Sequence, residues 1–132
     1  MKPSSVTVAL VGHCGADASS LKRLVSRVDK RATAVRVNDE ASLRDAIDSA
    51  AVMLVNRALD GSLGTSSGVE LIRTLASNRG NSPLPALLLV SNYADAQEEA
   101  EAAGAMPGFG KSDLRGSEAA SRLEAALRAA RS

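Results

Sequence analysis

Residues 86–111, ALLLVSNYADAQEEAEAAGAMPGFGK, carry the reading on which the fold turns. Ala86 to Val90 is a short apolar run of strand length, and Ala94 to Ala103 is an Ala/Glu-rich stretch of helix-forming composition. Gly104 supplies a helix stop, and Met106 to Gly110 reads as a short, glycine-broken strand. Two strands separated by one helix run parallel, joined by a crossover. Pro83 and Pro85 punctuate the approach to the first strand, where proline is tolerated before the ladder begins.

The same rhythm extends outward. Val6 to Val11 (VTVALV) is β-branched and almost wholly apolar, as expected of a strand covered on both faces, and it ends at Gly12. Asp17 reads as an N-cap, after which Ala18, Leu21, Leu24, Val25 and Val28 recur at amphipathic spacing, with Lys22, Arg23 and Arg27 on the wet side. Ala32 to Val37 is a second strand. A helix over Glu40 to Ala50 follows, capped by Asn38 or Asp39, with Leu43, Ala46, Ile47 and Ala50 buried. Ala51 to Asn56 (AVMLVN) leads into a Gly/Ser-rich loop, Asp60 to Gly68, and then a helix with Val69, Leu71, Ile72, Leu75 and Ala76 apolar. Glu118 to Ala130 closes the chain as a helix. Strands alternating with helices in this way predict a parallel sheet with helices on both faces. In such sheets the crevice lies at the carboxyl ends of the strands, here Gly12 to Asp17, Asn56 to Gly68, Ser91 to Tyr93 and Gly108 to Asp113.

Composition narrows the function. Aromatics are 2% of the chain, only Tyr93 and Phe109, so the core is aliphatic and no platform exists for stacking bases. A formal net charge of +1 provides no global field toward nucleic acid or an anionic membrane. The one cysteine, Cys14, excludes an internal disulfide. The apolar run after Met1 is too short for a signal peptide, and no window approaches the roughly 20 apolar residues of a membrane span. These readings predict a cytoplasmic protein that contacts neither nucleic acid nor membrane.

A serine closing the fourth strand (Ser91, in LLLVSNYA) and a lysine closing the fifth (Lys111, in GAMPGFGKS) resemble the receiver domain of two-component response regulators. The spacing from Gly104-Ala105 to Lys111 is also similar. The resemblance covers nearly the whole chain. It implies an α/β, flavodoxin-like, doubly wound (βα)5 three-layer sandwich with a five-stranded parallel sheet in order 2-1-3-4-5, forming one domain over 1–132. It further implies an acidic pair after the first strand and a phosphoacceptor aspartate ending the third. Gly12 and His13 stand at the pair, in VALVGHCGAD, and Asn56 at the acceptor, in MLVNRALDG. A carboxamide forms no acyl phosphate and adds no charge toward Mg²⁺, so no metal or cofactor is expected. The family's mobile aromatic near the fifth strand aligns with Gly108, one residue before Phe109. Asp17 and Asp60 are the nearby carboxylates that would have to replace the acceptor.

Three other motifs compete. Ala105 to Ser112 (AMPGFGKS) matches a relaxed phosphate loop, with Ala in place of the first glycine, but a helix precedes it and only about 20 residues follow. His13 and Cys14 are the chain's sole His and Cys, too few for a zinc site or a Cys/His nucleophile. The Gly61 to Gly68 loop has hydroxyls enough to bind an anion, although its composition is that of a connector. Arg115, Arg122, Arg128 and Arg131 on the last helix are diluted by Glu118 and Glu124 and read as a solvated face.

The expectation is therefore a degenerate, non-enzymatic receiver: a signalling or regulatory domain that contacts a protein partner through its last two βα units, independently of aspartyl phosphorylation. A homodimer through that face is a second option. Gly12, His13, Asn56, Ser91 and Lys111 mark the vestigial phosphorylation site. The alternative is a small anionic ligand or nucleotide bound in the crevice by Ser91 and Lys111, with the Gly/Ser loop as a lid. A third reading keeps phosphorylation, on Asp17 or Asp60.

Overall fold

Val8 to Val11, Val52 to Val55 and Leu87 to Val90 are at most 3% exposed, which fits three central strands with both faces covered. The computed structural model describes residues 6–78 and 84–131; Pro83 and the side chain of Arg131 lie outside the description. In chain order the elements are β1 (Val6–Val11), α1 (Gly15–Val28), β2 (Ala32–Val37), α2 (Glu40–Ser49), β3 (Val52–Asn56), α3 (Gly68–Asn78), β4 (Ala86–Val90), α4 (Ala94–Ala103), β5 (Met106–Phe109) and α5 (Ser117–Arg131). A short 3-10 turn, Lys111–Asp113, sits between β5 and α5. The strands pair in parallel in the order β2-β1-β3-β4-β5, the doubly wound arrangement expected from the sequence.

Alternation along each strand divides the core into two layers. Ala9, Val11, Met53, Val55, Leu87 and Leu89 face α2, α3 and α4, meeting Leu43, Ile72 and Ala100. Val8, Leu10, Val52, Leu54, Leu88 and Val90 face α1 and α5, meeting Leu21, Leu24 and Leu123. Phe109 joins this second layer, 2% exposed, and its neighbours there are almost all aliphatic. Burying each of these side chains contributes roughly 1.5–3 kcal/mol, so the two layers are the main source of stability.

One local expectation is corrected. Cys14, not Asp17, caps α1: its Sγ accepts the amide of Asp17 at 3.5 Å. That places Asp17 in the first helical turn, where its carboxylate is free to reach across to another element. Of the two residues expected to cap α2, Asp39 does so, accepting the Ser42 amide at 2.8 Å. The fifth strand ends at Phe109, and its register with β4 shifts between Leu88 and Val90.

The Gly/Ser loop is pinned. The Ser62 amide donates to Asn38 O at 2.8 Å, the Leu59 amide to Ser66 O at 2.9 Å and the Gly68 amide to Arg57 O at 2.8 Å. Leu63 is 4% exposed and anchors the loop in the α2/α3 layer.

Because Leu54 is fully buried on a central strand, Leu54→Ala is expected to cost about 2–5 kcal/mol in urea or guanidinium unfolding, with little change in m-value.

Candidate functional site

The crevice at the carboxyl ends of β1, β3, β4 and β5 is built around Asn56, the last residue of β3, which is 6% exposed. Its Nδ2 donates to Gly12 O at 2.9 Å and to Ala58 O at 2.7 Å, using both amide hydrogens on backbone carbonyls. Gly12 O also accepts the Asp60 amide at 2.9 Å, so one carbonyl gathers β1, the end of β3 and the following loop. A carboxylate at position 56 has no hydrogen to offer and would face two carbonyl oxygens. Gly12 adopts φ 72°, and a Cβ there would collide with Leu59, so backbone and packing both require glycine where receivers carry a carboxylate.

His13 is fully buried rather than lining an open pocket. Its Nε2 lies 2.8 Å from Leu54 O; since a carbonyl only accepts, Nε2 carries the hydrogen and Nδ1 is the bare acceptor of the neutral ring. Burial pushes the imidazole below the ordinary histidine value, opposed by the bond to Leu54 O. The Lys111 ammonium adds to the lowering, while Asp17 and Asp60 act against it. Arg36 and Asn38 donate to the His13 carbonyl at 3.1 and 3.3 Å. Cys14 is exposed beside it.

Lys111 Nζ lies 2.8 Å from Asp17 Oδ2, both side chains being about one-third exposed. The hydrogen bond from Lys111 is the main influence holding the Asp17 carboxyl below the usual range, with burial acting in the other direction. Ser91, 6% exposed, accepts the Tyr93 amide on Oγ at 3.1 Å. Ser91 and Lys111 do share a cleft of about 270 Å³ with Asn56, Arg57 and Tyr93, and no residue of the Gly/Ser loop lines it. Asp60 is exposed at its edge of the crevice. The phosphate-loop motif folds as β5 and the 3-10 turn, and α5 begins only at Ser117.

The position of the receivers' mobile aromatic is filled from elsewhere. A Cβ on Gly108 would collide with Leu89 O and come within 2.7 Å of Gln97 Oε1. Gln97 Nε2 lies 2.9 Å from Leu89 O, 3.1 Å from Ser91 O and 3.4 Å from Phe109 O, joining the ends of β4 and β5. Asn92 adds a second tie, its Oδ1 accepting from Ser112 N and Oγ, each at 3.1 Å. Sequence reading missed Gln97, which sits in no motif and which only the sheet brings to β5; Asn92 lies in the Ser91 to Tyr93 stretch read as crevice-lining, without the tie to Ser112.

The donor set does not fit the Mg²⁺ that the receiver fold implies. Mg²⁺ requires hard, preferably anionic oxygens. Here Gly12 has no side chain, His13 is buried against Leu54, and Asn56 is a neutral amide tied to two carbonyls. Asp17 is already paired with Lys111. Among the described residues there is no group of three or more His, Cys, Asp or Glu able to hold a metal ion.

Two substitutions test this geometry. Asn56→Asp is expected to destabilise by about 2–4 kcal/mol at pH 7 in urea unfolding. The folded state would raise that new carboxyl's pKa, so the ionisation part of the penalty appears as pH rises and vanishes below about pH 4, where the protonated acid still answers only one of the two carbonyls. For His13 the sign is opposite: the folded ring resists protonation while the unfolded chain binds a proton below about pH 6.5. Stability therefore falls as pH drops from 7 toward 5, with a His13 contribution of at most about 1.4 kcal/mol per pH unit, and His13→Gln removes that part of the slope.

No family profile matches the sequence, and no curated protein does. Solved structures match in fold. A response regulator receiver protein from Pseudoalteromonas atlantica aligns at TM-score 0.66 and 22% identity over 94% of this chain and 98% of its own. A response regulator from Thermotoga maritima aligns at TM-score 0.70 and 17% identity over 95% and 99%. An orphan response regulator of H. pylori aligns at TM-score 0.67 and 14% identity over 94% and 98%. The chain has the flavodoxin-like fold of response-regulator receiver domains.

Proposed function

We propose that this chain is a non-enzymatic signalling or regulatory domain that works by protein contact and holds one state without aspartyl phosphorylation. The carrying observation is Asn56 at the acceptor position, its two amide hydrogens donated to Gly12 O and Ala58 O. Likeness to the folds of response regulators, one of them described as an orphan, supports the signalling class. The Gln97 ties across β4 and β5 support a fixed state, since the receiver switch needs that space to move.

The partner meets the last two βα units in this reading. Tyr93, the sole tyrosine, is 59% exposed at the head of α4, with the Arg57 guanidinium 4.8 Å from its ring centre. Exposed aromatics of this kind serve as interface anchors. Asp95, Glu98, Glu99 and Glu101 give the neighbouring surface of α4 an acidic character suited to a basic partner face. Among the described residues no helix is long and apolar enough to cross a membrane.

The crevice-ligand reading is weaker because Asp17 already occupies Lys111. Incubation with Mg²⁺ and acetyl phosphate, followed by intact-mass analysis with and without hydroxylamine, is expected to yield no phosphoryl adduct and unchanged partner capture. A hydroxylamine-sensitive adduct on Asp17 or Asp60 would overturn the proposal.

A further inference from the structure

A second groove lies between α1 and the segment joining β5 to α5, on the α1/α5 layer, with a volume of about 320 Å³. It shares only Lys111 with the crevice. Four cations line it, Arg23, Arg27, Lys111 and Arg115, and no Asp or Glu does. The chain as a whole nearly balances 16 basic against 15 acidic residues, so this segregation is local. Like charges gathered around one cleft repel one another and concentrate the positive potential there. An anion is the complement that removes the repulsion.

The groove is built rather than incidental. Arg27, which sequence periodicity places on the wet side of α1, donates Nη1 to Arg115 O at 2.9 Å and Nη2 to Leu114 O at 2.9 Å and Gly116 O at 3.4 Å. Its guanidinium is therefore fixed across the junction of two elements. Lys111 is fixed at the other end by Asp17 at 2.8 Å. Arg27, held in this way, gives the groove a positive field that needs no ordering when a ligand arrives. Among the described residues, neither the Arg23 nor the Arg115 guanidinium has a hydrogen-bonded partner, and both residues are exposed, leaving their planar forks free to take phosphate oxygens in pairs. Leu24 and Leu114 add apolar surface, and Ser20 and Ser112 supply hydroxyls.

We infer that this groove binds a small molecule carrying a diphosphate group. With Lys111 answered by Asp17, the three remaining cations, Arg23, Arg27 and Arg115, still exceed what one carboxylate or phosphomonoester compensates, whereas a diphosphate matches them in charge. The volume is at the lower end of ligand pockets, roughly 300–1,000 Å³, which admits a diphosphate with a small ring system and not a larger polynucleotide. The inference stands independently of whether an aspartate can be phosphorylated.

Calorimetric and amide-NMR titrations of the intact chain at physiological ionic strength, using inorganic pyrophosphate, ADP and adenosine, test it. Pyrophosphate and ADP are expected to bind saturably and adenosine not to bind, with shifts centred on α1 and residues 111–116. Equal affinities for the first two would identify the diphosphate alone as the recognised group; tighter ADP binding would add the ring, and either ranking supports the site. The double variant Arg23→Gln/Arg115→Gln should weaken binding about tenfold or more at unchanged thermal unfolding temperature. Arg44→Gln/Arg73→Gln, which removes the same charge from α2 and α3 on the opposite layer, should leave binding intact. Four outcomes would overturn the inference: no saturation at millimolar pyrophosphate, equal losses in both double variants, shifts centred on Ser91 to Tyr93, or tighter binding of a polyglutamate peptide than of either phosphate probe.

Discussion

A carbonyl oxygen buried near the carboxyl end of a parallel strand needs a donor, and here three neutral side chains supply the hydrogens. Asn56 answers Gly12 O and Ala58 O, His13 answers Leu54 O, and Gln97 answers Leu89 O and Ser91 O. Unanswered, each such group costs about 1–3 kcal/mol, so this set of bonds holds the crevice in its present form. A carboxylate does the reverse: it brings acceptors to a place already rich in them and then requires a cation. The absence of the acidic pair and the presence of these donors are one physical fact seen from two sides.

That fact extends to the backbone. Gly12 is required by its positive φ and by Leu59, and Gly108 by the approach of Leu89 O and Gln97. A carboxylate installed at position 12 would thus meet strain before it met any metal. The ends of β4 and β5 are tied by Gln97 and by the contact of Asn92 with Ser112. Receiver topology is retained, with side-chain amides joining the ends of these two strands.

Charge is reorganised in the same spirit. Lys111 stands where a receiver lysine would meet a phosphoryl group, yet it is answered by Asp17 from the first turn of α1. The uncompensated positive charge lies one groove away, between α1 and the β5–α5 segment. Acidic α4 and the basic α1/α5 junction give a nearly neutral chain two surfaces of opposite sign. Neither is visible in the net charge.

The sequence by itself determined the order and kind of the five strands and five α-helices, because strand and helix periods are local and the central strands read as unbroken apolar runs. The boundaries of β1, β2, β4 and α4 agree with those read from the residues, and Gly12, His13, Asn56, Ser91 and Lys111 could be placed at or just beyond the carboxyl ends of strands. Only the tertiary structure decided what those residues touch. That Asp17 pairs with Lys111, 94 residues away, or that Arg27 grips carbonyls 87 to 89 residues on, follows from the crossover geometry of the sheet and leaves no local pattern. The same holds for Gln97, which looks in sequence like a solvated helix residue and in the fold closes the space above Gly108. Hydrophobic periodicity is encoded residue by residue, whereas polar contacts between elements depend on the register and direction of chains that meet only after folding.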